Sequence, residues 1–236
     1  SNTTIIHVAG SNGKGTLCAL LATNFTLLDQ SNVLFSSPHL CRVEERIRVG
    51  GVPVGADVFD EAVKMIQLVS LASNIAPTFF EVTFLAAMII ASEQNVRFLI
   101  LETGLGGRLD ATRCAPADLA LLTSISLEHT DILGGDINQI IKEKAAIARP
   151  GKPIIARVMN TIDYQKIVEE VAQNCYQSLT DGGKQPAQCH FIEIPDGTTA
   201  RKEAHILAEQ ALAILSQKSV LEDAEELLNW PGRLQR

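Results

Sequence analysis

The sequence has 236 residues, of which 46% are hydrophobic, and its formal net charge is −7. This length fits one large domain or two small ones, and the hydrophobic fraction is too high for a mostly disordered chain. The negative charge argues against a general nucleic-acid or membrane-surface binder, whereas a local basic pocket for a small anion stays compatible with it.

Cysteine use and hydropathy give an expectation about the compartment. The five cysteines are scattered and form no C-x-x-C pair, as is typical of reduced thiols in a cytosolic protein. The sequence begins without the features of a signal peptide. Its longest apolar stretch, residues 82–91, is too short to cross a membrane. We therefore expect a cytoplasmic protein that binds no membrane.

A glycine-rich turn joins the first predicted strand, residues 4–9, to the first predicted helix, residues 14–28. Glycines can adopt backbone angles that let N–H groups close around phosphate oxygens, and the positive end of the helix faces the same anion. Lys14 adds a charge for the β- and γ-phosphates, and the Thr16 hydroxyl suits Mg²⁺. The residues predicted to bind nucleotide phosphates are Gly10, Ser11, Asn12, Gly13, Lys14, Gly15 and Thr16.

This loop departs from the usual P-loop pattern, G-x-x-x-x-G-K-[ST], at two positions. Val8 stands where the first glycine is usual, and Gly15 separates Lys14 from Thr16. The alternative interpretation is a glycine-rich strand-to-helix turn with a surface lysine.

Strand and helix patterns alternate along the rest of the chain. The predicted strands are 32–35, a hairpin over 45–54, 97–102, 118–123, 153–158 and 190–194. The predicted helices are 58–72, 80–94, 138–148, 161–174 and 204–215. This alternation predicts a doubly wound α/β domain with a mostly parallel sheet.

Polar residues follow two of the predicted buried strands. The strand 97–102 ends in Glu102 and leads into a glycine-rich loop, and the strand 118–123 leads into a polar stretch that contains His129. In open α/β folds, ligands bind at the carboxyl edge of the sheet. We therefore expect both side chains at that edge.

Eight separated motifs follow one another along the chain: 7–16, 36–40, 45–47, 78–81, 102–112, 129–134, 143–145 and 230–233. Together they resemble the folylpolyglutamate synthase and dihydrofolate synthase branch of the Mur ligase family. The resemblance covers nearly the whole chain to Arg233 and is thin between residues 160 and 204.

The resemblance implies a Mur ligase central ATP-binding domain and ATP-dependent amide bond formation with Mg²⁺. In such a ligase a carboxylate of dihydropteroate or a reduced folate takes the γ-phosphate, and the amino group of glutamate then displaces phosphate. Lys14 and Mg²⁺ would neutralise the charge that develops during transfer. The implied partners are these small molecules, with no nucleic acid, and we expect a monomer.

The resemblance also implies roles for individual residues. It gives catalytic roles to Lys14, His129 and Lys144, the last matching a lysine that is carbamylated in much of the family. Arg233 matches a residue that reaches ATP, and His39 and Glu81 match the substrate side. The residues implied as magnesium contacts are Thr16, Ser37, Glu102, His129 and Lys144.

Each of these assignments has a structural alternative. Glu102 could instead be an acid at the end of a strand that accepts hydrogen bonds from backbone N–H groups. His129 could instead be a buried histidine or a helix-capping histidine. Lys144 could instead be an exposed lysine on a helix that pairs with a neighbouring acid. Glu81 could instead be a favourable negative charge at the N-terminus of a helix. Arg233 could instead be a solvated residue of a linker.

Four positions depart from the family pattern. Glu128 is present where the family has an aspartate, and Arg113 where it has an asparagine. Ala146 is present where the family has a glycine, and Glu203 lies near the expected position of an asparagine that contacts the nucleotide. The family's segment before the P-loop and its smaller C-terminal domain are also missing. We therefore predict an ATP-binding domain over residues 1–229 and a linker over residues 230–236, which bind nucleotide and magnesium with weak or absent turnover.

Two other functions compete with this prediction. One is another Mur-type ligase, for example one that acts on cell-wall peptides, although the motifs at 36–40 and 78–81 favour the folate branch. The other is a noncatalytic P-loop nucleotide-binding module or switch.

Overall fold

Eight strands form one sheet in the computed structural model, which describes residues 3–175, 185–195 and 197–228. The strands are β1 (Thr4–Ala9), β2 (Asn32–Phe35), β3 (Ile47–Val49), β4 (Val52–Pro53), β5 (Phe98–Glu102), β6 (Leu119–Leu122), β7 (Pro153–Arg157) and β8 (Gln188–Ile192). Their order is β4-β3-β2-β5-β1-β6-β7-β8. Only the β2–β3 and β3–β4 pairs are antiparallel, so the sheet is mostly parallel, as predicted.

Helices cover both faces of this sheet. They are α1 (Lys14–Leu27), α2 (Ala56–Ser73), α3 (Phe79–Glu93), α4 (Thr130–Leu133), α5 (Ile137–Ala145), α6 (Tyr164–Asn174), α7 (Ala200–Ile214) and α8 (Leu221–Leu227). Two short 3₁₀ helices span Val43–Arg46 and Ala111–Cys114. Helices α1, α7 and α8 pack on one face, whereas α2, α3, α5 and α6 pack on the other.

The alternation of side chains along the strands decides which core each residue joins. In β5, Phe98 and Ile100 face α1, whereas Leu99 and Leu101 face α3. All four are buried, as expected for a parallel strand that is covered on both faces. The rings of Phe25 and Phe98 stack with centroids 3.8 Å apart, which ties α1 to the centre of the sheet.

The boundaries differ from the predictions mainly at helix ends. The helix predicted over 138–148 ends at Ala145, and the one predicted from residue 161 begins at Tyr164, after Asp163 in the left-handed region. Helices α4 and α8 were not predicted. The linker predicted over residues 230–236 lies outside the described residues. In the described part of the chain, no helix has the length and hydropathy to span a membrane.

Candidate functional site

The carboxyl ends of four neighbouring strands meet at one edge of the sheet. Strand β1 leads into Gly10, β2 into Ser36 and Ser37, β5 ends at Glu102, and β6 leads into Thr123. Because these strands are parallel and adjacent, the loops that follow them are in contact. This places the predicted P-loop and Glu102 at the same edge, as the sequence indicated.

The backbone of the P-loop needs glycine at two positions. Gly10 has φ of 144°, and a Cβ on it would lie 1.8 Å from the Thr123 hydroxyl oxygen. Gly13, the residue before α1, has φ of 81°. Side chains rarely adopt these angles. The Lys14 ammonium donates to the carbonyls of Gly10, at 2.8 Å, and Ser11, at 3.2 Å, so it lies folded over the loop.

The segment after β6, residues 123–126, lies along the P-loop and holds it by hydrogen bonds. The Ser11 N–H donates to the Ser124 carbonyl at 2.8 Å, and the Thr123 hydroxyl donates to the Asn12 carbonyl at 2.7 Å. The Ser126 N–H donates to the Ser11 hydroxyl at 3.0 Å. The conformation of the P-loop is therefore set by a neighbouring loop as well as by its own glycines.

The predicted metal residues Glu102 and Ser37 are in contact. The Ser37 N–H donates to Oε2 of Glu102 at 3.1 Å, and Glu102 is only 2% exposed. Glu102 therefore does accept a backbone N–H, as its structural alternative supposed. Thr16 is buried in the first turn of α1. Carboxylate and hydroxyl oxygens are the donors that a hard cation such as Mg²⁺ prefers, so the residue types Glu102, Ser37 and Thr16 fit such an ion.

Lys144 is buried, with 2% exposure, and its Nζ lies 2.7 Å from Oε1 of Glu128. The same ammonium donates to the Gly10 carbonyl at 3.0 Å. Burial lowers the pKa of Lys144, although its hydrogen bond to Glu128 and that residue's charge oppose this. The alternative interpretation of Lys144, an exposed lysine paired with an acid, is correct about the acidic neighbour and wrong about the exposure of the side chain.

The carboxyl group of Glu128 is subject to opposing effects. Burial raises its pKa, but the hydrogen bond and charge of Lys144, with smaller contributions from Ser11 and Lys14, outweigh burial and lower it overall. Glu128 therefore carries the negative charge that faces Lys144. This residue was noted in the sequence only as a departure from the family pattern.

His129 precedes α4 and has φ of 47°, in the left-handed region. Its side chain is exposed, so it is not a buried histidine, and it makes no side-chain capping hydrogen bond to α4. In the described residues, no three His, Cys, Asp or Glu side chains are grouped to hold a metal ion. The predicted set has only two such residues, Glu102 and His129, and takes its other donors from Thr16, Ser37 and Lys144.

A cavity of about 550 Å³ opens beside Glu102, between the loops after β2 and β5. Its lining includes Ser37, Arg46, Glu81, Leu105 and Arg108. Near its rim, the Arg46 Nε–H donates to Nδ1 of His39 at 2.9 Å. The Arg46 guanidinium also lies 5.2 Å from the ring centroid of Phe79. The cavity thus has basic and aromatic groups close together.

Glu81 lies on this cavity but also has a structural role. Its carboxylate accepts the Thr78 N–H at 2.6 Å, and its own N–H donates to the Thr78 hydroxyl at 3.3 Å. These two bonds form a capping box at the start of α3, and the backbone bond from Thr78 lowers the pKa of Glu81. Glu81 therefore does place a negative charge at the N-terminus of α3, as the alternative interpretation predicted. Arg233, the last predicted site residue, lies outside the described residues.

Behind the P-loop, His7 is fully buried on β1. Its Nε2 lies 2.7 Å from the Thr112 hydroxyl oxygen, which itself donates to Asp110. The Thr112 oxygen must therefore accept from Nε2–H, which leaves Nδ1 unprotonated, and this atom has no hydrogen-bond partner among the described residues. Burial, with the charges of Arg149 and Arg113, lowers the pKa of His7 to about 3.

A pH prediction follows for His7. An unfolded chain binds a proton at its ordinary pKa of 6.5, whereas the folded protein does not until about 3, so acid favours the unfolded state. We expect this histidine to lower the free energy of unfolding by about 2 kcal/mol between about pH 8 and about pH 5. Urea unfolding of His7→Gln should show that much less pH dependence, whereas His190→Gln, at an exposed histidine, should match the parent protein. Equal pH dependence in His7→Gln and the parent would contradict this.

Comparison with known proteins agrees with this geometry. The model of the Mur ligase middle domain matches residues 8–211. The chain belongs to the Mur ligase family. The dihydrofolate synthase/folylpolyglutamate synthase of Escherichia coli K12 is 42% identical to this Mur ligase domain over 153 residues, which are 64% of the chain and 35% of that protein.

Solved structures give the same assignment over the whole chain. E. coli FolC in complex with DHPP and ADP has a TM-score of 0.82 and 30% identity, covering 100% of this chain and 59% of that one. The bifunctional folylpolyglutamate synthase/dihydrofolate synthase of Yersinia pestis, with AMPPNP and Mn ion, has a TM-score of 0.80 and 28% identity, covering 100% and 60%. The predicted family resemblance and fold class are confirmed. This Mur ligase domain spans about 60% of the length of these structures.

Two of the positions where this Mur ligase domain departs from the family pattern contact each other. The Arg113 Nε–H donates to the Ala146 carbonyl at 2.6 Å, just after the end of α5. Arg149 donates to carbonyls on both sides of this contact, those of Ile147 and Ala115. The Arg113 side chain therefore helps to fix the end of the helix that carries Lys144. Its partner is a main-chain carbonyl, which either alanine or glycine would supply at position 146.

Proposed function

We propose that this chain is the ATP-binding portion of a ligase that adds glutamate to dihydropteroate or to a reduced folate. The observation that carries the proposal is the convergence of Lys14 and Lys144 on the Gly10 carbonyl of the P-loop, at the sheet edge that also holds Glu102. The names of the relatives described above support the folate branch over other Mur-type ligases. The activity belongs to a longer protein, of which this chain supplies one domain.

The P-loop is proposed to hold the phosphates of ATP. Backbone N–H groups at residues 10–16 and the start of α1 would bind the phosphate oxygens. Lys14, which donates to two loop carbonyls, would turn its ammonium to the β- and γ-phosphates. Arg233 is proposed to contact ATP from the linker. The ADP and AMPPNP complexes of the relatives support nucleotide as the ligand.

The metal residues are proposed to be Thr16, Ser37, Glu102, His129 and Lys144. A bound divalent ion would supply positive charge to the phosphoryl group during transfer. Glu102 fits this role because its buried carboxylate lies beside Ser37. His129 would have to turn its exposed ring toward that site.

Lys144 is also proposed as a carbamylated residue. Its neutral amine would attack CO₂, which forms an N–C bond and releases one proton, and burial favours the neutral amine. Mass spectrometry of the intact protein, prepared with bicarbonate and without acid, tests for this modification. An intact mass without the added CO₂ under those conditions would remove the proposal.

The cavity beside Glu102 is proposed as the site of the pterin-containing substrate. Phe80 lines this cavity, and Phe79, which is 59% exposed, lies outside the lining with Arg46 over its ring. These rings offer surfaces for a flat pterin. Arg46 provides positive charge for a substrate carboxylate, whereas Arg108, which also lines the cavity, is paired with Glu143 at 2.7 Å. His39 and Glu81 would act at this cavity through their contacts with Arg46 and with the start of α3.

We also propose a domain organisation for the chain. Residues 1–229 are proposed to form the ATP-binding domain and residues 230–236 a linker to a further domain. We further propose that the protein acts as a monomer in the cytoplasm on small-molecule substrates.

The test is ADP release with Mg-ATP and glutamate, with dihydropteroate or tetrahydrofolate as the acceptor. It is made on this chain and on the longest polypeptide that its gene encodes. Turnover by the long form with either acceptor would support the folate assignment and name the substrate. Binding of ATP without turnover of either acceptor by the long form would overturn it and favour another Mur-type ligase or a noncatalytic P-loop module.

A further inference from the structure

Glu203 has no role in the function proposed above, yet it is connected to the P-loop through one residue. It lies in the first turn of α7 and is buried. Its Oε1 accepts the Ser124 N–H at 3.2 Å. The carbonyl of the same Ser124 accepts the Ser11 N–H at 2.8 Å. Glu203, Ser124 and Ser11 therefore form a continuous series of contacts from α7 to the P-loop.

The second oxygen of Glu203 faces a cation on a neighbouring strand. Its Oε2 lies 3.0 Å from Nε of Arg157, at the end of β7. This contact is an ion pair, and the Arg157 Nε–H does not point along a hydrogen bond to the carboxylate. Burial raises the pKa of Glu203, and Arg157 and the Ser124 N–H oppose this effect. A carboxylate is therefore tolerated at this depth because Arg157 compensates its charge.

We propose that Glu203 is a positioning residue for the P-loop, which it holds through Ser124, with Arg157 as its charge partner. The inference rests on the proposed nucleotide binding. Ser124 can fix Ser11 only if it is itself fixed, and the bond to a buried carboxylate does this from the side of α7. The pair also joins the ends of β6 and β7, so that α7 and two strands together determine the position of the phosphate-binding N–H groups.

Removing the acceptor should loosen the segment 123–126 and with it the P-loop. Glu203→Leu leaves the Ser124 N–H without its partner, and we expect it to weaken binding of Mg-ADP about 10-fold. Glu203→Gln keeps an oxygen that can accept from Ser124, so its Kd should stay within about 3-fold of the parent value. A role in charge alone would give the two variants the same loss.

Arg157 requires a variant of its own, because Glu203→Leu leaves its charge buried and unpaired. The double variant Arg157→Met with Glu203→Leu removes that charge but still lacks the acceptor, so it should fold and bind as weakly as Glu203→Leu. Glu209→Leu makes the same change on the exposed side of α7 and should leave binding unchanged.

The experiment combines calorimetric titration with Mg-ADP and amide hydrogen exchange of the P-loop peptide, in the parent and these four variants. We expect faster exchange at residues 10–13 in both variants that lack the acceptor, with protection retained in Glu203→Gln and Glu209→Leu. Unchanged exchange and affinity in the double variant would overturn the inference. If the parent protein failed to bind Mg-ADP, the proposed nucleotide binding would fail, whereas the exchange measurement would still decide the role of Glu203.

Discussion

Gly10→Ala should weaken nucleotide binding by at least about 100-fold, which corresponds to about 3 kcal/mol. The added Cβ would lie 1.8 Å from the Thr123 hydroxyl oxygen, and φ at this position is 144°. Either the loop or Thr123 must move, and Thr123 holds the Asn12 carbonyl. The N–H groups that would surround the phosphates are then displaced together. Calorimetric titration with Mg-ATP measures the loss.

Gly135→Ala is the matched control for this change. Gly135 lies in the loop between α4 and α5, and a Cβ there meets no atom within 4 Å. This variant should bind nucleotide as the parent protein does. Nearly equal affinities for Gly10→Ala and the parent would show that the loop does not bind phosphate in this conformation. Circular dichroism of both variants separates a local effect from a failure to fold.

Lys144→Met should lower turnover of the full-length ligase by about 100- to 1000-fold, as expected when one group that stabilises developing charge is lost. In its uncarbamylated form the ammonium bridges Glu128 and the Gly10 carbonyl, so the substitution removes a cation next to the P-loop and leaves Glu128 without its partner. In the proposed carbamylated form the substitution would remove a metal ligand instead. The free energy of unfolding should fall by only about 1 kcal/mol, because Glu128 is partly exposed and Lys144 no longer has to be desolvated.

Lys142→Met provides the comparison, since Lys142 lies on the same helix with its side chain exposed. It should leave kcat and KM unchanged. Steady-state ADP release and urea unfolding are measured on both variants. Retention of kcat within about 3-fold by Lys144→Met would exclude a catalytic role for this lysine, whether or not it is carbamylated.

The sequence was sufficient to predict the mostly parallel sheet and the placement of Glu102 and the P-loop at one edge of it, because the buried strands have continuous apolar runs and polar residues follow them. Glu102 is an example, since its position at the end of β5 required only the strand pattern. The depth of Lys144 could not be predicted in the same way. Helix α5 is polar on average, and the burial of that lysine depends on its contacts with Glu128 and the Gly10 carbonyl, which lie far away in the sequence.

Contacts between parts of the chain that lie far apart in the sequence could not be predicted from sequence patterns either. Arg113 and Ala146 were noted separately as departures from the family pattern, and their hydrogen bond exists only because the loop after β5 lies against the end of α5. Helix α4, with four residues, is too short to give a periodic signal. The pairing of Glu203 with Arg157 depends on the approach of α7 to β7, which a single sequence does not report.

The Gly10 carbonyl accepts from two ammonium groups, those of Lys14 and Lys144. Two like charges that share one neutral acceptor repel each other, and the charge of Lys14 indeed contributes to the lowered pKa of Lys144. An anion that enters between them relieves this repulsion in addition to its own attraction to each. The more negative the ligand, the larger that relief. While Lys144 carries an ammonium and not a carbamate, the site would therefore favour a triphosphate over a monophosphate before any contact with the base or sugar is made.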